Sequence, residues 1–412
     1  MKYGLIGEHL KHSFSKEIHN YLADYEYELC EIPKEEFDSF ANEPDFCGIN
    51  VTIPYKELII PHLYFTEENA KKIGAVNTVV NRCGKLYGYN TDFYGMKMLI
   101  SHAGVSVSGK KVAILGTGGT SKTALAVAKS LGAKETLRVS RSKKCGTVSY
   151  SELYENHRDT EVIINTTPVG MFPDIFGLAL DISHFDKLSG VIDAVYNPLR
   201  SPLVLSAKKR KIAAEGGLYM LVAQAVRASE IFLDKSYGED TTTEAYKKLL
   251  TKKENVVLVG MPSSGKSTVG KILAKAMCRE LIDTDELIKE RCGKSIPEIF
   301  KSEGERYFRD LEAEVIRDIS CRNGVIISTG GGAVLRSENV DALRENGRIY
   351  FIDRPLDALI PTKDRPLSST REAVTKIYEE RYEIYKSAAD VTVDADCSAD
   401  KVAEKIKGSF GI

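Results

Sequence analysis

The sequence predicts an α/β protein of more than one domain, and three observations carry that prediction. Apolar runs of strand length alternate with helical patterns along the chain. Two of those runs end in a glycine-rich turn that opens a helical pattern, at residues 111–133 and 256–276. The chain has 412 residues, more than one ordinary core organises, so two or three domains are expected.

Composition bounds the function class. The chain is 43% hydrophobic and 28% charged with a formal net charge of −1, which gives no bulk attraction for nucleic acid or a membrane surface. No apolar stretch is long enough to span a bilayer. The eight cysteines are scattered without CxxC spacing, which favours free thiols in a reducing cytoplasm over a disulfide frame or zinc site. All seven histidines lie at or before His184, so the C-terminal part must do its chemistry without imidazole.

Taken in order, MKYGLIGEHL has too short an apolar run for a signal peptide and reads as a first strand. The stretch from 111 to 133 reads as a strand at Val112–Leu115, a turn at Gly116, Thr117, Gly118 and Gly119, and a helix from about Ser121. Glycine suits such a turn because the backbone must bend sharply and approach a pyrophosphate closely. After the next strand, where an acidic residue would bind a ribose 2′-hydroxyl, stand Arg141, Ser142, Lys143 and Lys144. These suit a 2′-phosphate, hence NADP rather than NAD, the alternative being a solvated basic turn. Strands at Glu161–Asn165 and Gly190–Ala194 end in polar loops, NTTPVGM and DAVYNP, where an open α/β sheet binds its ligand. Gly216 and Gly217 then open a helix at Leu218–Leu233, and Lys235–Asn255 reads as a last helix and linker.

The second glycine turn, GMPSSGKST at 260–268, fits the phosphate-loop pattern G-x-x-x-x-G-K-[ST] between an apolar run and a helical pattern. Gly260, Ser263, Ser264, Gly265 and Thr268 would supply an anion nest and a helix N-terminus. Lys266 would reach the β- and γ-phosphates, and Ser267 would ligate Mg²⁺.

Residues 1 to about 250 resemble shikimate dehydrogenase. HSFSKEIHN (12–20), GINVTIPYK (48–56), AVNTVV (75–80), GYNTDFYGM (88–96), NTTPVGM, VYNP and MLVAQA occur in the family order. The resemblance implies NADP-dependent reduction of 3-dehydroshikimate. It assigns Lys56 and Asp92 as the catalytic pair, a lysine giving the proton beside a carboxylate that orients it. Ser13, Ser15, Thr52, Asn77, Asn90, Tyr196 and Gln224 become contacts to a polyhydroxylated acid, and Gly116, Gly118, Gly119, Arg141, Ser142, Lys143 and Gly217 become the cofactor set. Lys16, Phe93 and Tyr94 depart from the family pattern.

Residues from about 254 to 412 resemble shikimate kinase. After the phosphate loop come LIDTDELI (281–288), FRDLE (308–312), STGGGAV (328–334), DRPL (364–367) and EERYEIY (379–385). Asp283 and Asp285 are expected on one strand end, where residues two apart point the same way. The resemblance gives Asp283 to the metal with Ser267, and Asp285 to the acceptor hydroxyl. Arg309 and Arg381 fall to the substrate carboxylate, Gly331 to the substrate floor, and Arg365 to the transition state on a short lid. Exposed helix-face charge, with partners such as Glu305 or Glu312, is the other reading of the two substrate arginines.

The fold expected is therefore a two-lobed dehydrogenase with a Rossmann-like NADP lobe, followed by a phosphate-loop small-molecule kinase with a parallel sheet. Its substrate lobe would span 1–100 with returning helices at 217–250, its NADP lobe 101–216, and its kinase 254–412. The cofactors implied are NADP(H), ATP and Mg²⁺, with the small-molecule substrates 3-dehydroshikimate and shikimate. A quinate-type dehydrogenase fused to another kinase, or a ligand-binding protein without turnover, stays open at this level.

Overall fold

A computed structural model describes residues 1–10, 13–142, 145–361 and 370–411. Two of the expected site residues, Lys143 and Arg365, lie outside the described residues. The chain separates into two compact units, Met1–Leu249 and Leu250–Ile412.

The first unit holds two sheets. One contains β1 (Tyr3–Gly7), β2 (Tyr27–Glu31), β3 (Gly48–Val51), β4 (Phe65–Thr66), β5 (Thr78–Arg82) and β6 (Lys85–Tyr89), in the order β2-β1-β3-β5-β6-β4. β1 pairs parallel with β2 and β3, whereas β5 runs antiparallel to both β3 and β6. Every residue of β3 is buried, as expected of a strand covered on both faces. Its core joins Ile6, Ile49, Val51 and Val79 to Phe37 and Tyr55, whose rings stack at 4.3 Å.

The other sheet contains β7 (Lys111–Leu115), β8 (Glu135–Val139), β9 (Val162–Asn165), β10 (Gly190–Asp193) and β11 (Ala213–Glu215), all parallel, in the order β11-β10-β9-β7-β8. Separate apolar clusters cover it, one around Val112, Ile114 and Val127, the other around Ala113, Leu115 and Leu203. Because β8 and β9 lie on opposite sides of β7, the carboxyl ends of β7 and β9 form a switch-point crevice. Helix Leu218–Leu233 packs against helix Thr91–His102. Gly95 permits the approach, since a Cβ there would lie 2.7 Å from the Met220 carbonyl oxygen. Helix Thr241–Lys253 occupies most of the stretch expected to hold a last helix and linker.

The second unit is built on β12 (Asn255–Val259), β13 (Leu281–Asp283), β14 (Ile326–Ser328), β15 (Gly347–Asp353) and β16 (Val391–Asp394), all parallel, in the order β13-β14-β12-β15-β16. β12 is wholly buried, and its core includes Val256, Leu258, Leu273 and Ile352. Two carboxyl groups, Glu312 and Glu345, are buried here without full satisfaction. Glu345 is 2% exposed and its Oε2 has no hydrogen-bond partner. Burial, reinforced by Asp341, pushes it up to about 8. All eight cysteines are free. Among the described residues no helix is long and apolar enough to cross a membrane.

Candidate active sites

The first unit contains a cavity of about 530 Å³. Lys56 and Asp92 both line it, brought together by different elements. Lys56 sits on the short helix Tyr55–Leu58 that follows β3, and Asp92 on the first turn of helix Thr91–His102. Lys56 Nζ donates to Asp92 Oδ2 at 2.6 Å, with side-chain exposures of 19% and 12%. Such a pair keeps an ammonium oriented and open to a ligand at once.

Ser13, Ser15, Thr52, Asn77, Tyr196 and Gln224 also line the cavity. The Ser13 hydroxyl donates to that of Ser15 at 3.0 Å. Asn77 steadies the Asp92 helix, its Oδ1 accepting from the Thr91 amide at 2.7 Å and its Nδ2 donating to the Thr91 hydroxyl at 3.1 Å. Gln224 Nε2 donates to the Leu221 carbonyl at 2.9 Å. Tyr196 meets the Phe14 ring edge-on at 5.4 Å, and burial pushes its phenol up.

Asn90, expected as a substrate contact, has a structural role as well. It is 5% exposed and caps helix Thr91–His102, the helix that carries Asp92 to the cavity. Its Oδ1 accepts from the Phe93 amide at 3.0 Å and its Nδ2 donates to the Ala75 carbonyl at 2.8 Å, so both ends of the amide are engaged.

Three further polar residues on the wall escaped the sequence reading: His9, Asn50 and Thr120. Asn50 lies inside the GINVTIPYK motif, which was the available signal. It accepts from the Tyr27 hydroxyl at 2.7 Å and donates to the Thr78 hydroxyl at 3.0 Å. Behind it His19 stacks on Tyr27 at 3.9 Å, and burial drives the imidazole down to about 3, so it is neutral.

The crevice of the second sheet carries the glycine turn. Gly116 has φ +109°, and a Cβ there would lie 2.8 Å from the Thr166 hydroxyl. The following helix begins at Gly119, two residues before the sequence pattern suggests, with Gly118 as its N-cap. A Cβ on Gly118 or Gly119 would meet nothing within 4 Å, so the helix N-terminus is open to an anion. Gly217 lines the cavity, and any side chain there would collide with the Ala194 carbonyl. Arg141 and Ser142 are exposed beyond the end of β8. Near the crevice Asp193, fully buried, is pushed up to about 6 by burial, while accepting from Ser201, the Val195 amide and Asn165 at 2.5, 3.0 and 2.9 Å. These features fit a phosphorylated dinucleotide. Lys122 on the crevice helix meets Glu57, the neighbour of Lys56, at 2.7 Å.

In the second unit the phosphate loop follows β12. Gly260, Ser263 and Gly265 have φ of 153°, 64° and 95°, turning successive amides toward one side. Lys266, 5% exposed, folds back to donate to the carbonyls of Gly260 and Met261 at 2.8 and 2.9 Å. Ser264 Oγ is buried without a hydrogen-bond partner, and Thr268 lies in the first turn of helix Lys266–Met277. Ser267 Oγ donates to Asp283 Oδ2 at 2.8 Å. A hydroxyl and a carboxylate oxygen side by side are a donor set suited to Mg²⁺.

The expected placement of Asp283 and Asp285 on one strand end is corrected. β13 stops at Asp283, which caps helix Thr284–Cys292 by accepting from the Asp285 amide at 3.1 Å. Asp285 is helical, so strand alternation does not relate the two carboxylates. Its direction is set instead by the glycine triplet, where a Cβ on Gly330 would lie 2.6 Å from Asp285 Oδ1 and 2.8 Å from Glu312 Oε1.

Arg309 has both intrahelical partners, Glu312 at 2.7 Å and Glu305 at 3.3 Å. It is no exposed face charge, however, being 11% exposed, with Glu312 at 0%. Its guanidinium lies where a side chain on Gly332 would be. Arg381 Nη1 donates to the Gly331 carbonyl at 3.3 Å, and the Tyr385 hydroxyl donates to the same oxygen. The second unit thus brings Asp285, Glu312, Arg309 and Arg381 to one glycine floor.

Comparison with known proteins follows the same division. The family profile described as "Shikimate dehydrogenase substrate binding domain" matches residues 5–79, and "Shikimate kinase" matches 262–409. A shikimate dehydrogenase (NADP(+)) of Clostridium perfringens is 38% identical over 265 residues, covering 59% of this chain and 97% of the relative. A shikimate kinase of Clostridium beijerinckii is 43% identical over 159 residues, covering 38% of this chain and 94% of the relative. The crystal structure of shikimate dehydrogenase 1 from Peptoclostridium difficile superposes with a TM-score of 0.56 at 34% identity, covering 60% of this chain and 98% of that one. The chain therefore belongs to two enzyme families in series, shikimate dehydrogenase in its N-terminal part and shikimate kinase in its C-terminal part.

Proposed function

We propose that the chain is a bifunctional enzyme of the route to chorismate and the aromatic amino acids. One half reduces 3-dehydroshikimate to shikimate with NADPH, and the other phosphorylates shikimate to shikimate 3-phosphate with ATP and Mg²⁺. The proposed division is a substrate lobe at 1–100 with returning helices at 217–250, an NADP lobe at 101–216 and a kinase domain at 254–412. Its partners are these small molecules, and its setting is the cytoplasm.

The observation that carries the reading is the 2.6 Å Lys56–Asp92 pair on the wall of a cavity lined by hydroxyl and amide side chains. NADPH, when bound, supplies the hydride. Lys56 then holds the proton that the developing alkoxide takes from Nζ, and Asp92 orients that ammonium before transfer. Ser13, Ser15, Thr52, Asn77, Tyr196 and Gln224 hold the ring and carboxylate of the acid. Gly116, Gly118, Gly119 and Gly217 let the cofactor approach, and Arg141 and Ser142 receive its 2′-phosphate.

In the kinase half, Arg309 and Arg381 fix the acceptor through its carboxylate, a planar fork suiting a planar anion. Asp285 orients the acceptor hydroxyl. Lys266 leaves the loop carbonyls for the transferring phosphoryl group, and Ser267 with Asp283 holds Mg²⁺, which neutralises phosphate charge. Phosphoryl transfer demands positioning and charge more than a strong base, so a kinase half without histidine is chemically adequate.

The test is one coupled assay with 3-dehydroshikimate, NADPH, ATP and Mg²⁺. Shikimate 3-phosphate should accumulate, and omitting ATP should stop the reaction at shikimate. Failure of either step with the intact chain would remove that half of the assignment.

A further inference from the structure

Helix Arg371–Ala388 carries Arg381 to the glycine floor, and two tyrosines, Tyr382 and Tyr385, follow that arginine. Tyr385 donates to the Gly331 carbonyl, the same atom that receives Arg381. Tyr382 instead donates to Asp353 Oδ2 at 2.9 Å. Asp353 ends β15, whose Phe351 lies in register with Val259 at the end of the phosphate-loop strand. Residues two apart on a strand share a face. Phe351 accordingly meets the same helix as Asp353, edge-on to Tyr382 at 5.8 Å and stacked on Tyr385 at 5.3 Å. The strand also touches the phosphate loop, since a Cβ on Gly260 would lie 2.9 Å from the Ile352 carbonyl oxygen. Strand end 351–353 therefore contacts the nucleotide loop on one side and the arginine-bearing helix on the other.

We propose that Tyr382 is a positioning residue for phosphoryl transfer, its hydrogen bond to Asp353 fixing the helical turn that aims Arg381 at the acceptor carboxylate. The proposal rests on the reading of Arg381 as a carboxylate-binding arginine. The helix is held by buried Val374, Ile377, Tyr385 and Ala388 and by Arg371 at its N-terminal end, but a small local rotation of the backbone near Arg381 still becomes a large one at the end of an arginine. The bond to Asp353 adds a polar fixed point at the residue next to Arg381, on the strand that also supports the phosphate loop. It also pushes the tyrosine phenol up to about 12, so the hydroxyl remains a donor across the working range. The ring of Tyr382 is held separately, by stacking on Tyr378 at 5.1 Å, so removal of the hydroxyl alone isolates the bond.

The experiment measures kinase kinetics in the full chain, with shikimate and ATP varied separately. Tyr382→Phe should raise the KM for shikimate by about three- to tenfold, the scale of one hydrogen bond, with kcat and the KM for ATP within about twofold. Asp353→Ala should reproduce that rise from the other side of the bond. Asp353→Asn, whose carbonyl oxygen still accepts from a phenol, should largely restore the KM. The double variant Tyr382→Phe with Asp353→Ala should be no worse than either single change. Arg381→Lys is the reference. If it raises the KM for shikimate while Tyr382→Phe and Asp353→Ala do not, the positioning role is overturned and the arginine reading survives. If Arg381→Lys leaves the KM unchanged, the arginine reading falls and the proposal falls with it. Parallel loss of kcat and both KM values in Tyr382→Phe would mark a general structural role and also overturn it.

Discussion

The guanidinium of Arg309 occupies the space that a side chain on Gly332 would fill. The glycine triplet is thereby explained by its neighbours. Gly330 makes room for Asp285 and Glu312, Gly332 makes room for Arg309, and the Gly331 carbonyl receives Arg381. Gly332→Ala should therefore displace Arg309 and raise the KM for shikimate by at least about tenfold, more than an isolated lost contact would give. Steady-state kinase kinetics check this, and an unchanged KM would show that Arg309 does not bind the acceptor. Lys266→Ala, by contrast, should abolish phosphorylation while leaving reduction intact.

Lys56→Ala and Asp92→Ala should each lower the rate of 3-dehydroshikimate reduction by about 10²–10⁴-fold, the usual contribution of a positioned proton donor. Phosphorylation of supplied shikimate by the same variants should be unaffected. Near-full reductase turnover in Lys56→Ala would refute the role given to that lysine.

The basic turn after β8 implies a cofactor preference. NADPH should be used with much higher kcat/KM than NADH, and Arg141→Asp should erode the difference mainly through the KM for NADPH. Equal efficiency with the two cofactors in the parent chain would be decisive against it.

Glu345 sets a pH dependence of stability in the second unit. Its native value is raised to about 8, above an ordinary unfolded carboxyl. Between those values the unfolded chain has lost the proton that the native state keeps. Stability is therefore full below the unfolded value and falls as pH rises through the native one. Glu345→Gln should flatten this slope between about pH 5 and 8. Denaturant melts of the two proteins across that range measure it, and parallel slopes would exclude Glu345 as the cause.

The sequence carried the fold well where a motif and its flanking elements coincide. The glycine turns after β7 and β12 sit on strand–turn–helix units, and local patterning alone locates such units. Lys56 and Asp92 were legible as a pair only through their motifs, because tertiary folding brings their elements together. What was not legible depended on element ends and on burial. Asp285 was read as a strand residue because nothing in LIDTDELI marks the strand's end at Asp283 rather than two residues later. The cap role of Asn90 was not legible either, because only its partners, Phe93 and Ala75, reveal it. His9 and Thr120 reach the cavity from separate elements, a relation that no local pattern encodes. The partners of Arg309 were anticipated from helical spacing, but its burial was not, since that depends on the glycine floor from a distant part of the chain.

The Lys122–Glu57 contact bears on how the first unit breathes. It joins the crevice helix to the short helix that carries Lys56, and its side chains are 36% and 57% exposed. A pair this wet is worth about 0.2–1 kcal/mol and weakens further as salt rises. That is of the order of thermal energy, so the contact cannot act as a lock. It can bias the two helices toward each other and still yield whenever a ligand must enter or leave. The grip on a bound substrate must then come from the ligands themselves, and the resting enzyme stays accessible.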